Sequence, residues 1–212
     1  MKLYYYPRST YSQKVLIALY EKDASFTPAL VDLTDAAARA GFAKITPFGK
    51  VPVLVLDDGW KIPESSIIIE YLDTHVSTGT RLIPAEPDRA RQTRFHDRLA
   101  DLYVNESMTK ILFDARKPDG KRDPDGVAAA HRQLDVVFTG LDEHLSKRTW
   151  IMGDAFTMAD CALIPPLTYC RTLHPFDRWK HVTAYANRAS ERPSVARVQQ
   201  ELAAFLATSS AA

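Results

Sequence analysis

The sequence predicts a two-part protein: an α/β domain built on a mixed sheet, followed by an all-helical bundle. Three observations carry this prediction. Short apolar and aromatic runs alternate with helical stripes in the first third of the chain. Turn clusters at Thr46-Pro47-Phe48-Gly49 and Asp57-Asp58-Gly59 punctuate those runs. Beyond about residue 87 the apolar spacing is helical throughout. The 212 residues are 46% hydrophobic and 25% charged, enough for a substantial core divided between two small domains.

Taken in order, residues 2–6 read as a strand, because aromatic and apolar side chains dominate and Pro7 ends the ladder. A helix over residues 11–22 follows, with Val15, Leu16, Leu19 and Tyr20 on one stripe. Residues 26–33 suit a second strand and 36–45 a short helix. Residues 51–56 form a buried strand that turns at Asp57-Asp58-Gly59 into a short partner over 60–62, and 65–75 form a helix. The order is β-α-β-α-β-β-α. Residues 1–77 are therefore the expected first domain, 78–87 a linker with Thr78-Gly79-Thr80 and two prolines, and 88–212 the helical domain. Within the latter, helices are expected over 88–115, 127–144, 158–172, 179–189 and 194–206, with Pro193 at the start of the last.

Composition narrows the function. Lys and Arg number 27 against 26 Asp and Glu, a formal charge of +1, which supplies no basic field for nucleic acid or an anionic membrane. Residues 1–6 lack the long apolar region of a secretion signal, and no apolar stretch of roughly 18 residues could span a bilayer, so a cytoplasmic protein is expected. Cys161 and Cys170 are spaced for opposite faces of a helix and read as buried free thiols. The six histidines have no ligand spacing, and no metal site is expected.

Three segments carry candidate chemistry. Residues 8–15 place Ser9, Thr10, Tyr11 and Ser12 between a strand and a helix start. Unpaired N–H groups and a partial positive charge there stabilise an anion or thiolate, although Ser9 or Thr10 also suits a plain helix cap. Pro52 sits just before an apolar strand, where it implies an edge or an unusual backbone such as a cis bond. Glu64 and Ser65 precede a helix, where they could hold a ligand's ammonium and carboxylate, or equally an N-cap with an acidic neighbour.

The order of these segments resembles the glutathione transferase superfamily over nearly the whole chain, and suggests a bacterial, serine-type member similar to the zeta or theta classes. The resemblance rests on Leu3-Tyr4-Tyr5 leading to a Ser-rich helix start, on Gly49-Lys50-Val51-Pro52-Val53-Leu54, on Glu64-Ser65 before Ile67-Ile68-Ile69-Glu70-Tyr71-Leu72, and on Phe156-Thr157-Met158-Ala159-Asp160. It implies a thioredoxin-like first domain that binds glutathione as co-substrate. Val51 would pair its backbone with the cysteinyl part, with Pro52 cis; Glu64 and Ser65 would bind the γ-glutamyl end and Lys50 the glycyl carboxylate. Ser9 aligns with the catalytic serine, with Thr10 where some bacterial members carry cysteine and Tyr5 near the tyrosine of other classes. Thioredoxin relatives place CxxC here, and Ser9-x-x-Ser12 excludes a protein dithiol mechanism.

The implied activity is attack of the glutathione thiolate on a small, largely apolar electrophile, a detoxifying transfer, by a homodimer. Tyr11, Tyr103, Ser107, Met108 and Tyr169 are the candidates for the electrophile pocket. The alternatives are a non-catalytic stress or regulatory binding protein on the same fold, or a glutathione-dependent disulfide reductase, isomerase or dehalogenase. Thr157 and Asp160 form a capping box of structural purpose.

Overall fold

The computed structural model describes residues 1–209 and separates them into two units. The first holds Met1–Leu82 together with the C-terminal segment from Arg192, and the second is Ile83–Glu191. The predicted helical domain ran to residue 212; its last three residues lie outside the described ones, and its last helix groups with the sheet.

The first unit contains β1 (Lys2–Tyr5), α1 (Thr10–Glu21), β2 (Thr27–Leu30), α2 (Ala36–Phe42), β3 (Val53–Val55), β4 (Lys61–Pro63) and α3 (Ser65–His75). The strands form one sheet in the order β2-β1-β3-β4, with β1 parallel to β2 and antiparallel to β3. Register aligns Leu3 with Leu54 and Leu54 with Ile62, all buried, so one face is a continuous apolar row. On the other face Val31, Phe42, Val51 and Val53 form a core with Tyr4 and Tyr6 packed against it. The strands are shorter than the apolar runs predicted, because pairing stops before the runs do.

Residues 78–82, expected to be linker, are tied to the end of α1. Thr80 N–H donates to Glu21 O and Thr78 Oγ1 to Lys22 O, which satisfies carbonyls the helix end leaves open. Gly79 has φ +68°, and a Cβ there would run into the Glu21 carbonyl.

The last helix, α9 (Pro193–Ser209), is anchored at its start by Arg192, which grips Glu21 through two bonds of 2.6 and 2.7 Å. Ser194 and Thr80 also donate to that buried carboxylate. Burial alone would raise the Glu21 carboxyl, but these bonds hold it below its ordinary value. Farther along α9, Tyr20 donates to Glu201 and Tyr6 meets Phe205 edge-on at 5.5 Å.

The second unit contains α4 (Pro87–Leu99), a π-helical segment (Ala100–Asn105), α5 (Glu106–Asp114), α6 (Pro124–Leu145), α7 (Met158–Leu173) and α8 (Lys180–Glu191). The single helix expected over 88–115 is therefore interrupted. Ala100, Val104 and Met108 are all buried at strict four-residue steps. Cys161 and Cys170 are buried on α7 and form no disulfide, and burial pushes the Cys170 thiol up to about 12. Among the described residues no helix is long and apolar enough to cross a membrane.

Candidate functional site

Sheet register brings the three chemistry-bearing segments of the first unit to one end. β3 runs antiparallel to β1 with Val53 opposite Tyr4, so Val51-Pro52 lies beside the exit of β1 toward Ser9. Val53 also pairs with Pro63, which sets Glu64 and Ser65 at the same end. Lys14, 1% exposed within α1, donates to Ser66 Oγ at 2.9 Å and so fastens the first turn of α3 to α1. Nothing in the sequence singled out Lys14; a lysine within an apolar stripe was the only signal.

Ser9 is the N-cap of α1. Its hydroxyl accepts from Ser12 N–H at 3.3 Å, and its backbone N–H donates to Tyr6 O. Capping uses an oxygen lone pair and leaves the hydroxyl proton available to a ligand. The cap reading and the thiolate reading are thus compatible. Thr10 is the first helical residue, and Ser12 Oγ accepts the Tyr6 N–H. The buried Gln13 amide donates to Pro7 O at 2.8 Å, fixing the loop that carries Ser9. Tyr5 is half-buried, and burial, then the nearby Glu201 charge, raise its phenol above the ordinary value.

The Val51–Pro52 peptide is cis, as the resemblance implies. The Val51 N–H and C=O find no hydrogen-bond partner among the described residues, although the side chain is buried. Such backbone groups are open to a bound peptide. Lys50 is exposed beside them.

Glu64 stands at the N-cap of α3 with φ +69°, and its side chain makes no cap bond. A non-glycine residue held at positive φ costs about 1–3 kcal/mol and is concentrated at ligand sites. Ser65, 5% exposed, opens the helix with its hydroxyl unbonded among the described residues. This helix end offers N–H groups, a hydroxyl and a carboxylate to a zwitterion.

Of the electrophile-pocket candidates, Tyr11 lies on α1 in the first unit and the other four lie in the second. Tyr103 is 48% exposed within the π-helical segment. Ser107 and Met108 are buried in α5, Met108 at 1%, and Tyr169 is partly buried on α7. Thr157 and Asp160 form the expected capping box, with Asp160 Oδ2 accepting the Thr157 N–H at 2.8 Å.

A thioredoxin-like domain with open helix N-termini and unpaired Val51 backbone groups at one end of its sheet, joined in sequence to an all-helical domain, defines a class of two-part α/β-plus-α proteins. Comparison with known proteins gives the family. The profile of the glutathione S-transferase N-terminal domain matches residues 3–79, and that of the C-terminal domain residues 100–193. Glutathione S-transferase 3 of Zea mays is 32% identical, over 92% of this chain and 90% of its own. A probable maleylacetoacetate isomerase of Caenorhabditis elegans is also 32% identical, over 97% and 91%. The crystal structure of a glutathione S-transferase from Methylobacillus flagellatus with GSH bound superposes with a TM-score of 0.86 at 27% identity, covering 93% of this chain and 98% of that one. The chain belongs to the glutathione S-transferase family of transferases.

Proposed function

We propose that this chain activates glutathione as its thiolate for attack on a small, largely apolar electrophile. The observation that carries the reading is the convergence, at one end of the sheet, of the unpaired Val51 backbone, the open α3 N-terminus at Glu64-Ser65 and the capped α1 N-terminus at Ser9. In this reading Val51 pairs with the cysteinyl backbone, Glu64 and Ser65 take the γ-glutamyl ammonium and carboxylate, and Lys50 attracts the glycyl carboxylate.

A free thiol titrates near 8.5 and is mostly protonated at neutral pH. The Ser9 hydroxyl proton and the positive end of the α1 dipole both favour the ionised form. The thiolate then attacks the electrophile, with Tyr11 as the candidate contact on the first unit. Proximity and a prepared nucleophile supply the catalysis, with no covalent protein intermediate and no metal step.

A second reading is favoured by the isomerase relative: the same thiolate adding reversibly to an unsaturated acid and catalysing isomerisation. A panel of aryl halides, epoxides, hydroperoxides, mixed disulfides and a cis-configured unsaturated diketo acid separates the two. Turnover confined to the last substrate selects isomerisation. Retention on immobilised glutathione without any turnover selects a binding protein.

The proposal includes a cytoplasmic homodimer. Exposed Phe48 and Trp60 on the first unit, and Phe95 and Phe113 on the second, are each more than half exposed and offer apolar surface to a second copy. Light scattering should give twice the 23.8 kDa chain mass; a clean species at the chain mass overturns the dimer.

A further inference from the structure

Two polar side chains near the start of α1 are buried where the helix turns apolar: Ser12 at 0% and Gln13 at 3% exposure, just ahead of Val15, Leu16 and Leu19. Burying such groups is costly unless they are hydrogen-bonded. Both find a partner outside the helix, in the turn of residues 6–9 that carries Ser9. Ser12 Oγ accepts the Tyr6 N–H at 3.2 Å, and the Gln13 amide donates to Pro7 O at 2.8 Å.

The turn closes on itself through one bond, from Ser9 N–H to Tyr6 O at 2.9 Å. That bond joins the two ends and leaves the corner at Pro7 and Arg8 to be held by other means. Proline has no N–H, so the carbonyl of the buried Pro7 is the only backbone group of that residue that can be tied down. Gln13 ties it from the helix. On the other side Ser12 holds Tyr6, and its own N–H donates to Ser9 Oγ at 3.3 Å. At that length the cap bond holds the Ser9 oxygen loosely, so the direction of its hydroxyl is set by the backbone of the turn.

We propose that Gln13, with Ser12 as the second anchor, is a positioning residue, which rests on the reading of Ser9 as the hydroxyl at the thiolate: the two side chains pin the 6–9 turn so that the Ser9 hydroxyl meets the glutathione sulfur. Neither anchor is placed on the ligand. Where geometry is catalytic, a shift of about 1 Å costs about a hundredfold. A released turn would leave Ser9 capping α1 while its hydroxyl lost that alignment.

Gln13→Met keeps the length and the packing without the donor. The thiol of bound glutathione should then titrate at least about half a pH unit higher than in the parent. Affinity measured by calorimetry near pH 5, where the thiol is protonated, should stay within about threefold. Ser12→Ala frees the Tyr6 N–H and should move the thiol in the same direction. In a Ser9→Ala background Gln13→Met should add nothing, because the hydroxyl it positions is gone. Ser194→Ala removes a bond to Glu21 away from the turn, and should lower the melting temperature with the thiol unmoved. A parent-like titration in folded Gln13→Met, a further rise when it is added to Ser9→Ala, or an equal rise in Ser194→Ala overturns the role of Gln13. Should Gln13→Met not fold, Ser12→Ala decides, and a parent-like titration there overturns the anchoring of the turn. A parent that binds glutathione with its thiol at the free value overturns the reading of Ser9 and the role of Gln13 together.

Discussion

The N-termini of α7 and α3 start from similar sequence material, a polar pair ahead of an apolar run, and end in opposite states. At α7 the capping box is closed. Asp160 accepts from Thr157 N–H, Thr157 Oγ1, Ile151 N–H and the Tyr185 hydroxyl, and it is fully buried. At α3 Glu64 holds positive φ without capping, and Ser65 keeps a free hydroxyl. A helix end that satisfies itself contributes stability and has little left to give a ligand. An end that stays open sacrifices stability and retains binding capacity. Mutations at the two ends should therefore separate stability from binding.

The largest effect is expected at the closed end. Asp160→Ala leaves two backbone N–H groups and the buried Tyr185 hydroxyl without their acceptor, and should cost about 3–5 kcal/mol in denaturant unfolding. Glutathione affinity, measured below the melting temperature, should barely move. Burial pushes the Asp160 carboxyl up to about 6, against the opposing pull of its four hydrogen bonds. Its folded value exceeds its unfolded value near 4, so the folded state holds the extra proton between these two. The stability contributed by this group is complete below about pH 4 and is lost as pH rises through about 6, by up to about 3 kcal/mol. Unfolding measured across that window against Asp160→Asn checks the sign; a difference that grows with pH would refute it.

At the open end the prediction reverses. Glu64→Ala and Ser65→Ala should each weaken glutathione binding by about 1.5–3 kcal/mol, the scale of hydrogen bonds to charged groups, with little change in melting. Glu64→Gly removes the same carboxylate and should lose affinity as Glu64→Ala does. Calorimetry and thermal melts on the same samples decide it. Unchanged affinity in all three variants would remove the γ-glutamyl site from this helix.

Much of this contrast was legible in the sequence. Thr157-x-x-Asp160 announces a box whose partners lie three residues apart, and Pro193 at a helix start is equally local. The helix over 65–75 and the β-α-β-α-β-β-α order follow from periodicity and turn residues close in the chain. Long-range partners were not legible. Arg192 and Glu21 are 171 residues apart, and long-range pairs such as theirs and Tyr20 with Glu201 group α9 with the sheet unit. The π-helical segment leaves an ordinary helical pattern in the sequence, because its four-residue row of Ala100, Val104 and Met108 differs little from a 3.6-residue stripe. Which Tyr of Tyr4-Tyr5-Tyr6 faces which side was undecided until register put Tyr4 against Phe42 and Tyr5 toward α9.

The smallest effect, and the finest test of the contrast, is at α1, where one side chain both caps and remains available. Ser9→Ala removes the acceptor for Ser12 N–H in a partly exposed cap and should cost about 1 kcal/mol of stability. Glutathione affinity should stay within about tenfold, less than about 1.4 kcal/mol, because most of the peptide is held elsewhere. The thiol should respond more specifically: without the hydroxyl proton its pKa rises, so thiolate absorbance near neutral pH and turnover both fall. Titrating bound glutathione in Ser9→Ala, Thr10→Ala and Tyr5→Phe side by side assigns the donor. Ser12 is a poor competitor because its oxygen already accepts the Tyr6 N–H. Tyr5 faces α9, so Tyr5→Phe should leave the thiol titration in place. Ser9→Thr keeps a hydroxyl that can both cap and donate, and should restore the titration if the proton at residue 9 is what matters. A raised pKa in Thr10→Ala with an unchanged one in Ser9→Ala would move the role by one residue, from the cap to the first turn of α1.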